Sequence, residues 1–157
     1  MKPLFKCLLI LSVITMFGCM KQTIKSDVDG NNQSETAVIH SYCYKNLYGN
    51  LVTGINYEIA FRWCAMGAER SYPKSLTLLA EMYYLGLYVE QNYHQAFSIY
   101  TLAAELEHAH AQWMLYQLYH DGLGVEKSEA SAQFWLMKAK SNNHKQANSI
   151  PKAASGH

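Results

Sequence analysis

The chain repeats itself with a period of 36 residues. Ala60, Ala96 and Ala132 stand at this spacing, and Gly86 and Gly122 share it. A period of this length is typical of helical hairpins that stack, because a single hairpin cannot bury its apolar face alone. We therefore expect an all-α fold, a short right-handed α/α solenoid of about three helical hairpins.

Apolar residues within each half of the repeat follow helical spacing, as at Leu76 and Leu79. Asn56, Asn92 and Ser128 stand in register before the second helix of each hairpin, where a side-chain oxygen can cap a free backbone amide. The pattern predicts three hairpins, at 38–48 with 56–68, 74–85 with 92–104, and 110–121 with 128–140.

Residues 1–18 are predicted to be a signal peptide. Lys2 and Lys6 provide a basic start, and the apolar run that follows is too short to span a bilayer. The segment MFGC at residues 16–19 resembles the lipobox of bacterial lipoproteins, which implies that Cys19 becomes the lipidated N-terminus. Plain secretion and an uncleaved anchor are the alternatives.

The same resemblance implies a location in the bacterial envelope. Met20 and Lys21 stand where an inner-membrane retention signal has Asp, so an outer-membrane lipoprotein facing the periplasm is expected. Residues 19–37 are polar and are predicted to be a flexible tether. The tail at 142–157 is expected to be disordered, which leaves 38–141 as the folded unit.

The charge of the chain argues against nucleic acid as a partner. Loss of Lys2 and Lys6 with the signal peptide reduces the basic residues from 13 to 11, against 12 acidic residues. Residues 40–140 hold no cluster of Lys or Arg that could displace the counterions of a phosphate backbone. We expect contact with a membrane only through the N-terminal lipid.

The third repeat carries a family resemblance. AQWMLYQLYHDGLGV at 111–125, followed by EASAQFWLMKAKSNN from Glu129, resembles the Sel1-like repeats, which are relatives of the tetratricopeptide repeat. The glycine that the family places between repeats is here Ser71, Glu107 or Asn143. The resemblance implies a protein-binding scaffold that is not an enzyme and holds no cofactor.

The family also has a glycine within the first helix of each repeat. Ala80 and Tyr116 occupy that position here. A tyrosine there is expected either to push the hairpin apart or to point its ring outward.

Two cysteines, Cys43 and Cys64, remain after export into an oxidising compartment. Both lie about ten residues from the predicted turn, at positions that correspond to core residues of the other repeats. We predict that they form a disulfide. The alternative is a pair of packed free thiols.

The sequence offers weak candidates for catalysis. His108 and His110 are the best metal or acid–base pair, but residues two apart on a helix point in different directions, and a solvated turn is the simpler interpretation. No nucleophile motif or phosphate-binding loop is present. Relatives credited with β-lactam binding or hydrolysis imply an alternative, a protein that acts on β-lactams or a peptidoglycan-related ligand.

The tyrosines are more informative, because all 12 lie within the repeats. In a solenoid the first helices of successive hairpins line the concave surface, and partly exposed tyrosines are typical anchors of protein interfaces. The predicted binding residues are Tyr44, Tyr84, Tyr88, Tyr116, Gln117 and His120.

The leading functional hypothesis is a lipid-anchored adaptor that binds a protein partner on this surface. Small exported Sel1-like proteins are similar to immunity proteins, which implies a sharper version: an inhibitor of a toxic enzyme, such as a phospholipase, that is delivered into the periplasm. Phe134 and Met137 of the last hairpin have no following repeat to cover them, so self-association there is a further expectation.

Overall fold

The structure is a computed structural model that describes residues 32–49 and 54–151. The chain divides into two units, 1–35 and 36–157. Of the first unit only residues 32–35 are described, and they are helical. The predicted signal peptide, Cys19 and the tether up to residue 31 lie outside the described residues, as do residues 152–157 of the predicted tail.

Helices form all the regular secondary structure of the described residues, as predicted. They are α1 Asn32–Tyr48, α2 Tyr57–Glu69, α3 Pro73–Leu85, α4 Tyr93–Glu105, α5 Ala109–Asp121, α6 Glu129–Ser141 and α7 Lys145–Ser149. Helices α1 to α6 pair into three hairpins, and the bounds of α2 to α6 fall within one residue of the prediction. Across the described ranges no helix has the length and hydropathy needed to cross a bilayer.

The predicted caps begin the second helices. Asn56, Asn92 and Ser128 each accept the backbone N–H three residues further on, at 3.0, 2.9 and 3.2 Å. Gly86 and Gly122 end α3 and α5 in the left-handed conformation that glycine adopts without cost. Each hairpin therefore has a side-chain cap before its second helix and a glycine after its first.

The backbone is left-handed at the junctions between hairpins, although none of the three residues there is glycine. Ser71, Glu107 and Asn143, which replace the family's glycine, have φ angles of 54°, 59° and 59°. A residue with a Cβ pays about 1 kcal/mol for this conformation. The repeat geometry therefore prevails over local preference at all three junctions.

Glu107 offsets this strain with its carboxylate. It accepts hydrogen bonds from Asn142 at 2.8 Å, from Lys138 at 3.0 Å and from Gln112 at 3.1 Å. The Asn142 bond, followed by those from Lys138 and Gln112, lowers the pKa of Glu107 to about 2. The side chain thus ties the junction before α5 to the end of α6.

Neighbouring hairpins approach closely at two glycines. Gly67 of α2 lies so close to Ser75 of α3 that an added Cβ would overlap the serine side chain. Gly124, with a φ of 69°, lies against the backbone of Tyr93 and His94 at the start of α4. The repeats are therefore in contact along their backbones as well as through side chains.

One core runs through the three hairpins, and Cys43 and Cys64 lie at its first end. They form the predicted disulfide, with their Cα atoms 5.0 Å apart and both side chains fully buried. Leu79, Tyr100 and Leu115 continue the same core through the later repeats. The bridge joins α1 to α2 within the first hairpin.

The expected disordered tail differs from the structure between residues 142 and 151. His144 caps α7, and Ala147 within α7 is fully buried. Lys140 donates a hydrogen bond of 2.7 Å to the carbonyl of Ile150. Ala147 stands 36 residues after the equally buried Ala111, so α7 is the first turn of a fourth first helix that covers the end of the solenoid.

Helix α1 also begins before its predicted start at residue 38, within the segment predicted to be a tether. The reason is that Thr36 continues the buried stripe formed by Ile39, Cys43 and Leu47 at helical spacing. The spacing of apolar residues does not predict this first part of α1, because Thr36, which extends the buried stripe, is polar.

Candidate protein-binding face

The solvent-facing side chains of the three first helices, α1, α3 and α5, form a surface that we call the first-helix face. Helix α3 lies between the other two: the Tyr48 hydroxyl of α1 reaches Glu81 of α3, and Thr77 of α3 contacts His108 at the start of α5. The members of the first-helix face are Tyr44, Tyr48, Glu81, Tyr84, Tyr116, Gln117 and His120, all exposed or half-buried.

Aromatic rings form a continuous row along α1. From Tyr72 the row passes to His40 at 5.8 Å, to Tyr44 at 6.2 Å and to Tyr48 at 4.8 Å between ring centroids. Tyr44 and Tyr48 are 51% and 47% exposed, although rings of this size usually bury most of their area. This α1 row is therefore a ridge of accessible aromatic surface.

A second row follows α5. Its rings run from His110 to His144, Trp113, Tyr116 and His120, at successive centroid distances of 5.3, 5.4, 5.1 and 5.8 Å. The Tyr116 ring is half-buried: it packs beside Trp113 and His120, and also against the buried cluster of α6 and α7. The α5 row thus flanks α3 on the side opposite the α1 row.

Small side chains of α3 separate the two rows. Thr77 and Ala80 are almost fully buried, so Ala80, which replaces the family's glycine, contributes nothing accessible to the face. Beyond them Glu81 and Tyr84 reach the surface and are half-buried. The side chains that remain available on α3 are therefore confined to its C-terminal half and to Lys74 near its start.

The predicted binding residues divide into two groups. Tyr44, Tyr84, Tyr116, Gln117 and His120 all lie on the first helices. Tyr88, by contrast, lies in the turn after α3, and its ring contacts Phe61 of the second helix α2 at 5.5 Å. The structure does not bring Tyr88 to the first-helix face.

Sequence reasoning placed Tyr100 in the core and outside the predicted site, but Glu81, Tyr48 and Tyr84 lie close enough to its hydroxyl to raise its pKa. The Tyr48 hydroxyl donates to Glu81 Oε2 at 2.6 Å, and its pKa is raised, chiefly by burial and then by this hydrogen bond. Tyr48 precedes Tyr84 by 36 residues, a signal that could have placed it on the face. We call these four residues the Glu81 cluster.

Tyr100 is the buried member of the Glu81 cluster. Its side chain is 0% exposed, and its hydroxyl has no hydrogen-bond partner among the described residues. Burial raises the pKa of Tyr100 well above its usual value, and Glu81, Tyr48 and Tyr84 raise it further. Helix α4 therefore places an unpartnered phenol in the core.

His108 is not the solvated turn residue that the sequence suggested. Its Nδ1 lies 2.8 Å from Thr77 Oγ1, a buried hydroxyl that also lies 2.8 Å from the Pro73 carbonyl. Burial, followed by the positive charges of neighbouring groups such as His110, lowers the pKa of His108 to about 4. The ring is thus held neutral at the junction between α3 and α5.

His110 and His144 meet although they are far apart in sequence. His144 Nδ1 accepts the backbone N–H of Ala147, so its proton lies on Nε2 and is donated to His110 Nδ1 over 3.1 Å. Burial lowers the pKa of both rings. Within the described residues no group of three His, Cys, Asp or Glu side chains is arranged to hold a metal ion.

The whole repeat region matches one known family. Three Sel1 repeats cover residues 37–72, 73–108 and 109–144. The chain belongs to the Sel1 repeat family. Sel1 repeat proteins act as protein-interaction scaffolds, and the family is generally non-enzymatic.

Solved structures of Sel1 repeat proteins resemble this chain over most of its length. A Sel1 repeat protein from Oxalobacter formigenes is 29% identical, with a TM-score of 0.65, over 74% of this chain and 87% of that protein. Cysteine rich protein B of Helicobacter pylori is 23% identical, with a TM-score of 0.61, over 78% and 98% of the two chains, and this likeness shows the fold alone.

A longer protein contains a similar segment. A protective antigen present in uropathogenic Escherichia coli strains is 26% identical, with a TM-score of 0.68, over 83% of this chain. This Sel1 repeat protein spans only 26% of the length of that antigen. No curated protein matches the sequence.

Proposed function

We propose that this Sel1 repeat protein is an envelope adaptor that binds a protein partner on its first-helix face. The observation that carries the proposal is the pair of aromatic rows on α1 and α5, with the small side chains of α3 between them. Rings that are half exposed in the free chain can lose water on binding without the entropy cost that longer side chains incur.

The two rows favour a partner segment that lies along α3 and contacts both ridges. Tyr44 and Tyr48 lie on one side of such a segment, and Trp113 and Tyr116 lie on the other. The accessible groups of α3 in between, Glu81 among them, supply polar contacts. The aromatic ridges therefore offer apolar area to the partner, and the groups of α3 between them offer hydrogen-bond partners.

The proposed location is the outer membrane, with the repeats facing the periplasm and Cys19 lipidated. The resemblance of residues 16–19 to a lipobox supports the anchor, and the Cys43–Cys64 bridge supports an oxidising compartment. Intact-mass measurement of the mature chain tests both points. A mature chain without added acyl mass would contradict the lipid anchor and would favour a secreted adaptor.

The sharper form of the proposal names the partner as a toxic enzyme delivered into the periplasm, such as a phospholipase. It is supported by resemblance to exported Sel1-like immunity proteins. The test has two steps: the neighbouring genes are searched for a secreted lipase, and a lipase found there is co-expressed with the adaptor. The adaptor should restore growth and bind the lipase in a one-to-one complex, and continued toxicity would exclude this partner.

The binding face itself is tested with a double variant, Tyr44→Ala with Tyr116→Ala. Truncating an anchor tyrosine typically costs at least about 1 kcal/mol, so the double variant should lose about 2 kcal/mol and its affinity for the captured partner should fall by about thirtyfold or more. Tyr57→Ala is the matched control, because Tyr57 is 37% exposed on the second helix α2. Equal affinity of the double variant and the control would refute the proposed face.

Self-association through the last hairpin is a separate proposal. Phe134 and Met137 of α6 are 49% and 63% exposed, which supports an apolar contact with a second copy. Sedimentation of the chain and of a Met137→Lys variant tests it. A monomer at all concentrations would exclude the contact.

A further inference from the structure

We propose that His110 and His144 form a pH-sensitive latch, which holds α7 against the end of the solenoid and releases it when the pair takes up a proton. The latch goes beyond the proposed function, because it operates in the free chain and needs no partner. It is carried by the hydrogen bonds of the two rings and by the buried surface that α7 covers.

His144 lies directly before α7, and both of its ring nitrogens have partners. Its Nδ1 accepts the backbone N–H of Ala147 at 3.4 Å, and its Nε2 lies 3.1 Å from His110 Nδ1 on α5. The ring also stacks on Trp113 of α5, with the centroids 5.4 Å apart. His144 therefore connects the first turn of α7 to α5.

The number of hydrogens on the two rings determines which of these bonds can form. Each neutral imidazole carries a hydrogen on one nitrogen and leaves the other nitrogen as an acceptor. Both acceptors of the pair are in use, since His110 Nδ1 accepts from His144 and His144 Nδ1 accepts from Ala147. One added proton leaves a single acceptor for these two bonds. Wherever the proton binds, either the bond between the rings or the cap of α7 must break.

The charged groups around the pair oppose protonation more than they favour it. Glu81 of α3 favours the charged form of His110, but burial outweighs it and lowers the pKa of that ring. Burial, followed by His110, also lowers the pKa of His144. The carboxylate of Glu107, at the junction before α5, is paired with Lys138 of α6. The other basic groups on the surrounding elements are His40 of α1, Lys74 of α3, His108 before α5, Lys140 of α6 and Lys145 of α7.

Release of α7 is the expected response to acid. Because the pKa of both rings is lowered from 6.5 while α7 is docked, the released state takes up protons first, so docking should be complete above about pH 6.5 and should weaken as the pH falls. A helix of five residues is not stable by itself, and α7 depends on burying Ala147. Its release uncovers the cluster of Leu136 and Ala139, against which Trp113 and Tyr116 of the α5 row also pack.

The first test follows the free chain by NMR between about pH 7.5 and about pH 5, a range in which His108, with a pKa of about 4, stays mostly neutral. At the upper pH both rings of the latch should carry their hydrogen on Nε2. The ratio of docked to released α7, measured from the resonances of Ala147 and Ile150, should fall by about tenfold as the rings titrate. Titration of both rings with α7 still docked would overturn the latch.

Two variants assign the effect to the pair. In His144→Asn the new side-chain oxygen can accept the Ala147 amide at any pH, so α7 should stay docked down to about pH 5. The control is His120→Asn, because His120 lies on α5 but is bonded to Glu129 and not to α7; this variant should release α7 as the unaltered chain does. Release of α7 over the same pH range in His144→Asn would overturn the latch. If α7 does not dock in this variant at any pH, the titration of the unaltered chain still decides the proposal.

The latch and the proposed function fail in different ways. If α7 is released in acid but no protein binds through Tyr44 and Tyr116, the proposed function fails and the latch stands. If a protein binds through those tyrosines and α7 stays docked while the two rings titrate, the latch fails and the binding face stands.

Discussion

Loss of the Cys43–Cys64 bridge should cost about 3 kcal/mol of the free energy of unfolding. The two cysteines are 21 residues apart, and closing a loop of this length reduces the entropy of the unfolded chain by about 11 cal/mol/K, or about 3 kcal/mol at 25 °C. For a domain of about 100 residues this corresponds to a decrease in melting temperature of roughly 12 to 24 °C.

The assay compares the oxidised chain, the chain under reductant, and a Cys43→Ala, Cys64→Ala variant by urea unfolding and thermal circular dichroism. Reduction keeps the sulfur atoms in the core, so it measures the cross-link. The variant also removes two fully buried sulfurs and should lose about 1 kcal/mol more for each. Intact mass confirms the redox state of every sample.

The loss should be concentrated in the first hairpin, because each repeat contacts only its neighbours. Amides of α1 and α2 should lose protection from hydrogen exchange under reductant, while those of α5 and α6 keep theirs. A total loss below about 1 kcal/mol, or an equal loss of protection in all three hairpins, would refute the reasoning.

Three further predictions concern the turns, the junctions and the contacts between hairpins. Gly124→Ala should destabilise the chain by about 3 kcal/mol in urea unfolding, because the new Cβ would overlap the Tyr93 carbonyl. The control Gly54→Ala, at a φ of 66° but facing open space, should cost only about 1 kcal/mol. Equal losses of stability in the two variants would contradict the contact at Gly124. Ser71→Gly should raise the melting temperature by a few degrees, equivalent to about 1 kcal/mol, because glycine adopts a φ of 54° without backbone strain. An unchanged melting temperature would mean that Ser71 is not strained. The pKa of His108 is lowered from 6.5 to about 4 in the folded chain, so the unfolded chain takes up the proton first as the pH falls. The contribution of His108 to the free energy of unfolding should therefore be complete above about pH 6.5 and should decrease as the pH falls toward 4. His108→Gln should flatten this dependence, and an identical slope for the variant in unfolding experiments between pH 6.5 and 4 would contradict it.

Features that follow from local chemistry were predictable. Helical spacing, left-handed glycines and capping side chains act over only a few residues of the chain. The bounds of α2 to α6 and the caps at Asn56, Asn92 and Ser128 therefore agree with the sequence prediction. The Cys43–Cys64 bridge was predictable for a related reason: two residues equidistant from a hairpin turn face each other.

The prediction of a disordered tail does not hold at α7, because it relied on the polar composition of the tail and not on the 36-residue repeat. The 36-residue step from His108 to His144 and from Ala111 to Ala147 was present, but the surrounding residues are small and polar. A single turn of helix is not stable by itself, so α7 depends on burying Ala147 against α6. Local sequence preference does not report such a contact.

The sequence by itself determined the period, the helices and their turns, and therefore the family and the face on which the tyrosines stand. Only the tertiary structure decided that Tyr48 reaches Glu81, that the Tyr100 hydroxyl is buried with no hydrogen-bond partner among the described residues, and that His144 bonds to His110. The physical reason is distance along the chain. Periodicity places residues on a helix face, but the meeting of side chains more than 30 residues apart depends on how closely the hairpins stack and on which rotamers the packed core allows.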